Sequence, residues 1–203
     1  MTLELWNTFA TFGTFIVIAA TAIAALVQLR HARGSNQIAA MYELQDLSGT
    51  PQFNDAEHAV RNELPSKLKD PAFRYQIAHR EARTPDNSAF ISKIIDVGNF
   101  YENMGLLVKG GLVDPKLALD IWSGQVPGSW QRLAPFTAIV RRAQGRYVWE
   151  NFEYLTVLSQ DWFTAHPYGS YPPGIRRIDL ADEWLEADKQ YETALALPGS
   201  AAS

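Results

Sequence analysis

The chain has 203 residues, 47% of them hydrophobic and 20% charged, with a formal net charge of −4 and no cysteine. This mild acidity, with charges of both signs interspersed, excludes the basic face of a nucleic-acid binder. The missing cysteines exclude a disulfide framework and fit a reducing compartment.

The first element is an uncharged run of 25 residues, 5–29, containing FIVIAATAIAALVQL and no proline. As a helix it reaches about 37 Å, enough to cross a hydrocarbon core of about 30 Å. A cleavable signal peptide opens on a positive segment and has a shorter apolar core. This chain opens MTLEL and carries its basic residues after the run. A buried core helix rarely runs this long without charge. The run therefore reads as a retained transmembrane helix, with residues 1–4 as a short outer N-terminus that leaves no room for an outer sensing domain. Arg30, His31 and Arg33 follow it, and the positive-inside rule puts that flank in the cytoplasm. Trp6 falls where an aromatic ring settles at the outer interface. Ala10, Gly13, Ala20 and Ala24 offer small surfaces for a partner helix.

Residues 30–165 read as a cytoplasmic helical domain. Gly34-Ser35-Asn36 reads as a break just inside the membrane, followed by a helix with Ile38, Met41 and Leu44 on one face. Thr50-Pro51 and Asp70-Pro71 each combine a capping side chain with a proline at the first helical position. From about Asp86 to Val108, the residues Phe90, Ile94, Val97, Tyr101, Met104 and Val108 recur at spacings of 4, 3, 4, 3 and 4. That is one apolar stripe, and Gly110-Gly111 ends it. Asp114-Pro115 starts the next helix, with Leu117, Leu119, Ile121 and Trp122. A stripe of Trp130, Leu133, Thr137 and Val140 follows VPGS. Val148, Phe152, Leu155 and Trp162 follow Gly145. No period-two alternation runs long enough for a strand, so the fold class is all-α: a helical bundle behind one N-terminal transmembrane helix. Residues 166–178, HPYGSYPPGIRRI, form an extended Pro/Tyr arm, with Tyr168 and Tyr171 as candidate partner contacts, packing in cis or on another subunit. Asp179 caps a final helix over 179–197, and 198–203 is a tail.

The order of these pieces resembles a bacterial family of unknown function. The residues that carry the resemblance are LVQLRHAR, NFYENMGLLVKGGLVD, SWQRLAPFTAIVRR and WENFEYL, across about residues 15–163. The resemblance implies membrane attachment through one N-terminal transmembrane helix and a small cytoplasmic all-α domain; with the basic flank, the expected location is the bacterial inner membrane, single-pass, with the N-terminus out. Its motifs are packing and turn motifs, which specify fold better than activity, and it brings no catalytic residues because none are established for the family.

A search for chemistry yields little. None of His31, His58, His79 and His166 stands in HExxH or Glu-x-x-His. Glu102, Glu150 and Glu153 read as solvated or paired with Arg141, Arg142 and Arg146. The apolar run holds no histidine to ligate haem. No GxSxG or phosphate-cradling glycine pattern occurs. Asp96, inside the strongest stripe, is either a buried acid or a flank residue. Trp122, Trp130, Trp149 and Trp162 are core or interface residues. No catalytic, metal or cofactor site is expected. The expected function is a non-enzymatic, membrane-anchored interaction protein, an accessory or scaffolding subunit of a larger membrane complex, photosynthetic or respiratory assemblies being compatible hosts. Its partners are the lipid bilayer and other membrane protein subunits, not nucleic acid. The second reading is a membrane-tethered enzyme or signalling protein with an unrecognised active site.

Overall fold

The computed structural model describes residues 3–196, which are helical or irregular, with no strand among them. The protein is all-α, as the periodicities predict. It divides into two compact units, one ending at Gly169 and one beginning at Ser170.

Helix α1 spans Leu3–Ser48, 46 residues, which makes it about 69 Å long. The break expected at Gly34-Ser35-Asn36 is absent. A lone glycine costs a helix only about 1 kcal/mol relative to alanine, and no proline is there to interrupt the hydrogen bonds. Past these residues Met41 and Leu44 are buried, whereas Ile38 is 56% exposed. Steps of three residues lag the 3.6-residue turn, so over the two steps from Ile38 to Leu44 the side chains drift about 120° apart and do not share one narrow face. Gly49 ends the helix, its N–H donating to the Gln45 carbonyl at 3.1 Å.

The short helices start where capping chemistry directs them. Thr50 Oγ1 accepts from the Phe53 N–H at 3.2 Å to open α2, Pro51–His58. A π turn, Ala59–Glu63, joins α2 to α3, Leu64–Lys67. Pro65 lacks an N–H and would crowd the carbonyl four residues back, and the wider turn just before it relieves that conflict. Asp70 accepts from the Ala72 N–H at 2.8 Å to open α4, Pro71–Ala78. Arg83 closes α4, donating to the Gln76 and Ile77 carbonyls at 2.9 and 3.1 Å.

Helix α5, Pro85–Lys109, is the central element. All six residues of its predicted stripe are buried. Asp114 accepts from the Lys116 and Leu117 N–H groups and opens α6, Pro115–Trp122. There Leu119 and Trp122 face the core while Leu117 and Ile121 face out. Helix α7, Val126–Gln144, opens with VPGS, Pro127 being accommodated in the first turn, and its stripe residues Leu133, Thr137 and Val140 are buried. Helix α8, Glu150–Ala165, starts after Val148.

The core forms where α5 packs on α8 and α2, with α7 lying against α8 and α4. Tyr101 stacks on Phe152 with ring centroids 4.8 Å apart, and Trp130 meets Phe152 edge-on at 5.0 Å. The buried Tyr101 hydroxyl donates to Glu57 at 3.2 Å and accepts from Ser129 at 3.1 Å.

In the second unit the Pro/Tyr segment is irregular. Gly174 turns with a φ of 81°. The Tyr171 hydroxyl donates to the Arg176 carbonyl at 3.3 Å, and the Arg177 guanidinium lies 4.7 Å from the Tyr171 ring. The last helix, α9, covers Leu185–Ala196 and does not begin at Asp179. Asp182 accepts from the Trp184 N–H at 3.1 Å in the turn that leads into the helix. The expected tail, 198–203, lies outside the described residues.

Candidate membrane-facing and partner-binding surface

The N-terminal part of α1 is apolar on every side. Phe12, Phe15, Ile16, Val17, Ile18, Ile23, Leu26, Val27 and Leu29 are each about half exposed or more. Moving such a side chain out of water is worth at least about 1.5 kcal/mol, so these nine represent on the order of 13 kcal/mol. That is comparable to the entire net stability of many domains, about 5–15 kcal/mol, and it is the scale of what an apolar cover over this surface would contribute. The helix is long and apolar enough to cross a membrane. Its hydroxyls fit that setting: Thr11 and Thr21 each donate to the carbonyl four residues back at 2.8 Å. A polar group bonded within its own helix makes no demand on lipid.

The predicted flank residues Trp6, Arg30, His31 and Arg33 are all exposed on α1. Gly13, Ala20 and Ala24 are exposed and lie at spacings of 7 and 4, which keeps them near one face. A Cβ at Gly13 would meet nothing within 4 Å. Ala10 belongs to α1, with its side chain outside the described residues. Tyr168, at the end of the first unit, is 89% exposed, and Tyr171, in the second, 46%.

The other candidates resolve into packing. Asp96 is exposed, so the buried-acid reading fails. His58 and His79 lie 3.8 and 3.3 Å from Glu63 and Glu81, and His166 stacks on Trp162 at 4.0 Å. Among the described residues no cluster of three or more His, Asp or Glu could hold a metal ion.

Sequence reasoning missed a groove where the end of α1 meets α5. One part, of about 340 Å³, is lined by residues including Leu44, Leu47, Phe53, Asp96, Asn99 and Phe100. A second part, of about 250 Å³, is lined by Ala40, Glu43, Leu44, Leu47, Leu106 and neighbours. Leu44, Leu47 and Asn103 line both. Leu47 and Leu106 are 50% and 54% exposed. No short motif announces such a groove, since its walls are 50 residues apart in sequence.

The segments NFYENMG and VWENF form a latch between α5 and the start of α8. Trp149 adopts a left-handed backbone with φ 55°, which costs a side chain of this size on the order of 1–2 kcal/mol. Several contacts hold it. Its indole N–H donates to Asn99 at 3.1 Å, and its ring fills the space over Gly98. Arg141 donates to the Val148 and Trp149 carbonyls at 2.9 and 3.3 Å and pairs with Glu153 at 2.7 Å. Glu102, reaching across from α5, accepts from the Asn151 side chain at 2.8 Å and from the Phe152 N–H at 2.9 Å. A carboxylate from another helix thus caps α8 and satisfies one of its first amides.

No curated protein and no solved structure matches the chain. The model of one family, described as Domain of unknown function (DUF4760), matches residues 15–159, from the apolar half of α1 through the latch to the middle of α8. With most of its length inside that match, the chain belongs to the DUF4760 family.

Proposed function

We propose that this protein is a non-enzymatic, membrane-anchored interaction protein, an accessory or scaffolding subunit of a larger membrane complex. The observation that carries the reading is α1 itself. One unbroken helix runs from an exposed apolar segment to residues buried in the domain, Met41 and Leu44. Residues 5–29 cross the bilayer, Arg30 and Arg33 hold the inner face, and the domain stands in the cytoplasm. A continuous helix fixes the domain's height and orientation, as a scaffold needs. Anchoring also raises its effective concentration for partners in the same membrane. Gly13, Ala20 and Ala24 suit close approach to a partner helix. The bilayer and other membrane subunits are the partners, an energy-transducing complex among the compatible hosts.

The test is native electrophoresis of gentle detergent extracts. Full-length protein is expected to co-migrate with a larger complex, and deletion of residues 1–33 is expected to release it. A full-length protein that runs as a lone monomer refutes the reading. A reporter fused after Ser203 is expected to be active only in the cytoplasm.

A further inference from the structure

We propose that the groove between the end of α1 and α5 receives a cationic amphipathic helix, the juxtamembrane segment of a neighbouring membrane protein. The inference deepens the accessory-subunit reading and rests on it for the location of the groove.

Three observations select this occupant. The floor is apolar and open: Leu44 and Phe100 form its base, and Leu47 and Leu106 stand half exposed at its walls. Such a surface takes the apolar stripe of a helix, read at positions i, i+3, i+4 and i+7. The rim is acidic. Glu43 stands over one part and Asp96 over the other, both exposed, and no lysine or arginine lines either part. The lysine one turn before Asp96, Lys93, is held by Asp55 at 2.6 Å. The groove therefore favours a positive partner and disfavours an acidic one. Its height is the third observation. Ala40 to Leu47 lie about 10–20 Å along the helix axis past Arg33. Lys and Arg accumulate on cytoplasmic segments within 15–20 residues of membrane spans. The groove thus stands where a neighbour's basic segment leaves the bilayer. A second copy of this chain does not fit, because its own Arg30 and Arg33 would lie that same distance below the groove.

The probe is a fluorescent Leu/Lys peptide with leucines at helical spacing, titrated against full-length protein in nanodiscs of neutral phosphatidylcholine, with empty nanodiscs subtracted. The Leu/Lys peptide is expected to bind. The double variant Glu43→Lys/Asp96→Lys is expected to weaken it roughly tenfold or more, equivalent to about 1.4 kcal/mol. A Leu/Glu peptide is expected to bind the double variant better than the parent. Both substitutions are at exposed positions, and an unchanged melting temperature confirms that the fold is kept. Absence of peptide binding, equal binding to the double variant, or equal binding of the Leu/Glu peptide overturns the proposal. So does a photo-crosslinker at Leu47, in native membranes, that yields a homodimer. If the double variant still joins the complex that deletion of 1–33 abolishes, the groove assignment fails while the accessory-subunit reading stands. If the peptide binds through Glu43 and Asp96 but full-length protein migrates alone, the reverse holds.

Discussion

Replacing Gly105 by alanine tests the packing of α5 on the start of α8. A Cβ at this position would lie 2.1 Å from the Asn151 carbonyl oxygen and 2.6 Å from its carbon, both backbone atoms. The oxygen must retreat by more than 1 Å to reach ordinary contact. It has little freedom to do so. Glu102 holds the Asn151 side chain and the next amide, and Lys109 donates to Asn151 Oδ1 at 3.1 Å. Overpacking of this kind costs about 1–3 kcal/mol, and a rigid backbone neighbour argues for the upper end. The gain in helix propensity returns about 1 kcal/mol. The expected net loss is about 2 kcal/mol, a fall in Tm of about 4–8 °C for a chain of this size. The control is Gly128→Ala in α7, where the nearest atom is the flexible end of Arg132 at 3.3 Å. That variant is expected to be neutral or to gain up to about 1 kcal/mol. Thermal unfolding of the full chain in one detergent, followed by circular dichroism and tryptophan fluorescence, measures both. A Gly105→Ala protein melting at or above the parent temperature refutes the close approach of the two helices.

Ile94 and Phe152 are fully buried, so Ile94→Ala and Phe152→Ala are expected to cost about 2–5 kcal/mol each in the same assay; changes within about 0.5 kcal/mol for both would mean those faces are not core. Glu102→Gln removes the charge that caps α8 and is expected to cost about 1–2 kcal/mol, with Glu102→Ala costing more and Glu150→Gln, an exposed neighbour, nearly nothing. Burial of Tyr101 raises the pKa of its phenol above the usual value of 10.0. A raised pKa keeps the neutral form in the folded state, so stability is intact below about pH 10 and falls above it, by up to about 1.4 kcal/mol per pH unit until the folded-state pKa is reached. Denaturant titrations at pH 8 to 11 on the parent and Tyr101→Phe check this, and an equally steep decline in both proteins would remove Tyr101 as the cause.

The elements that could be read from sequence are those whose causes are local. Thr50, Asp70 and Asp114 each bond an amide two or three residues on, beside a proline that suits the first helical turn. The stripe from Phe90 to Val108 depends only on the helical period. The apolar run before Arg30 needs nothing beyond its own composition to be too exposed for water. Where the reading missed, distant or competing interactions prevailed. Gly34-Ser35-Asn36 looked like a break, yet a glycine between two long helical segments is overridden by their shared continuity. Asp179 is a sound cap by type, but the helix begins only at Leu185.

The sequence by itself determined the all-α class, the starts of α2, α4 and α6, and the division into an apolar N-terminal run and a folded domain. Only the tertiary structure decided that Gly98 and Gly105 are points of close approach, that Trp149 is left-handed, that Glu102 caps a helix 50 residues away, and that α1 and α5 enclose an acidic-rimmed groove. The physical reason is range. Caps and periods are satisfied within one or two turns of the same chain. Close packing, a cap supplied by another helix, and a groove's walls exist only once segments far apart in sequence have been brought together.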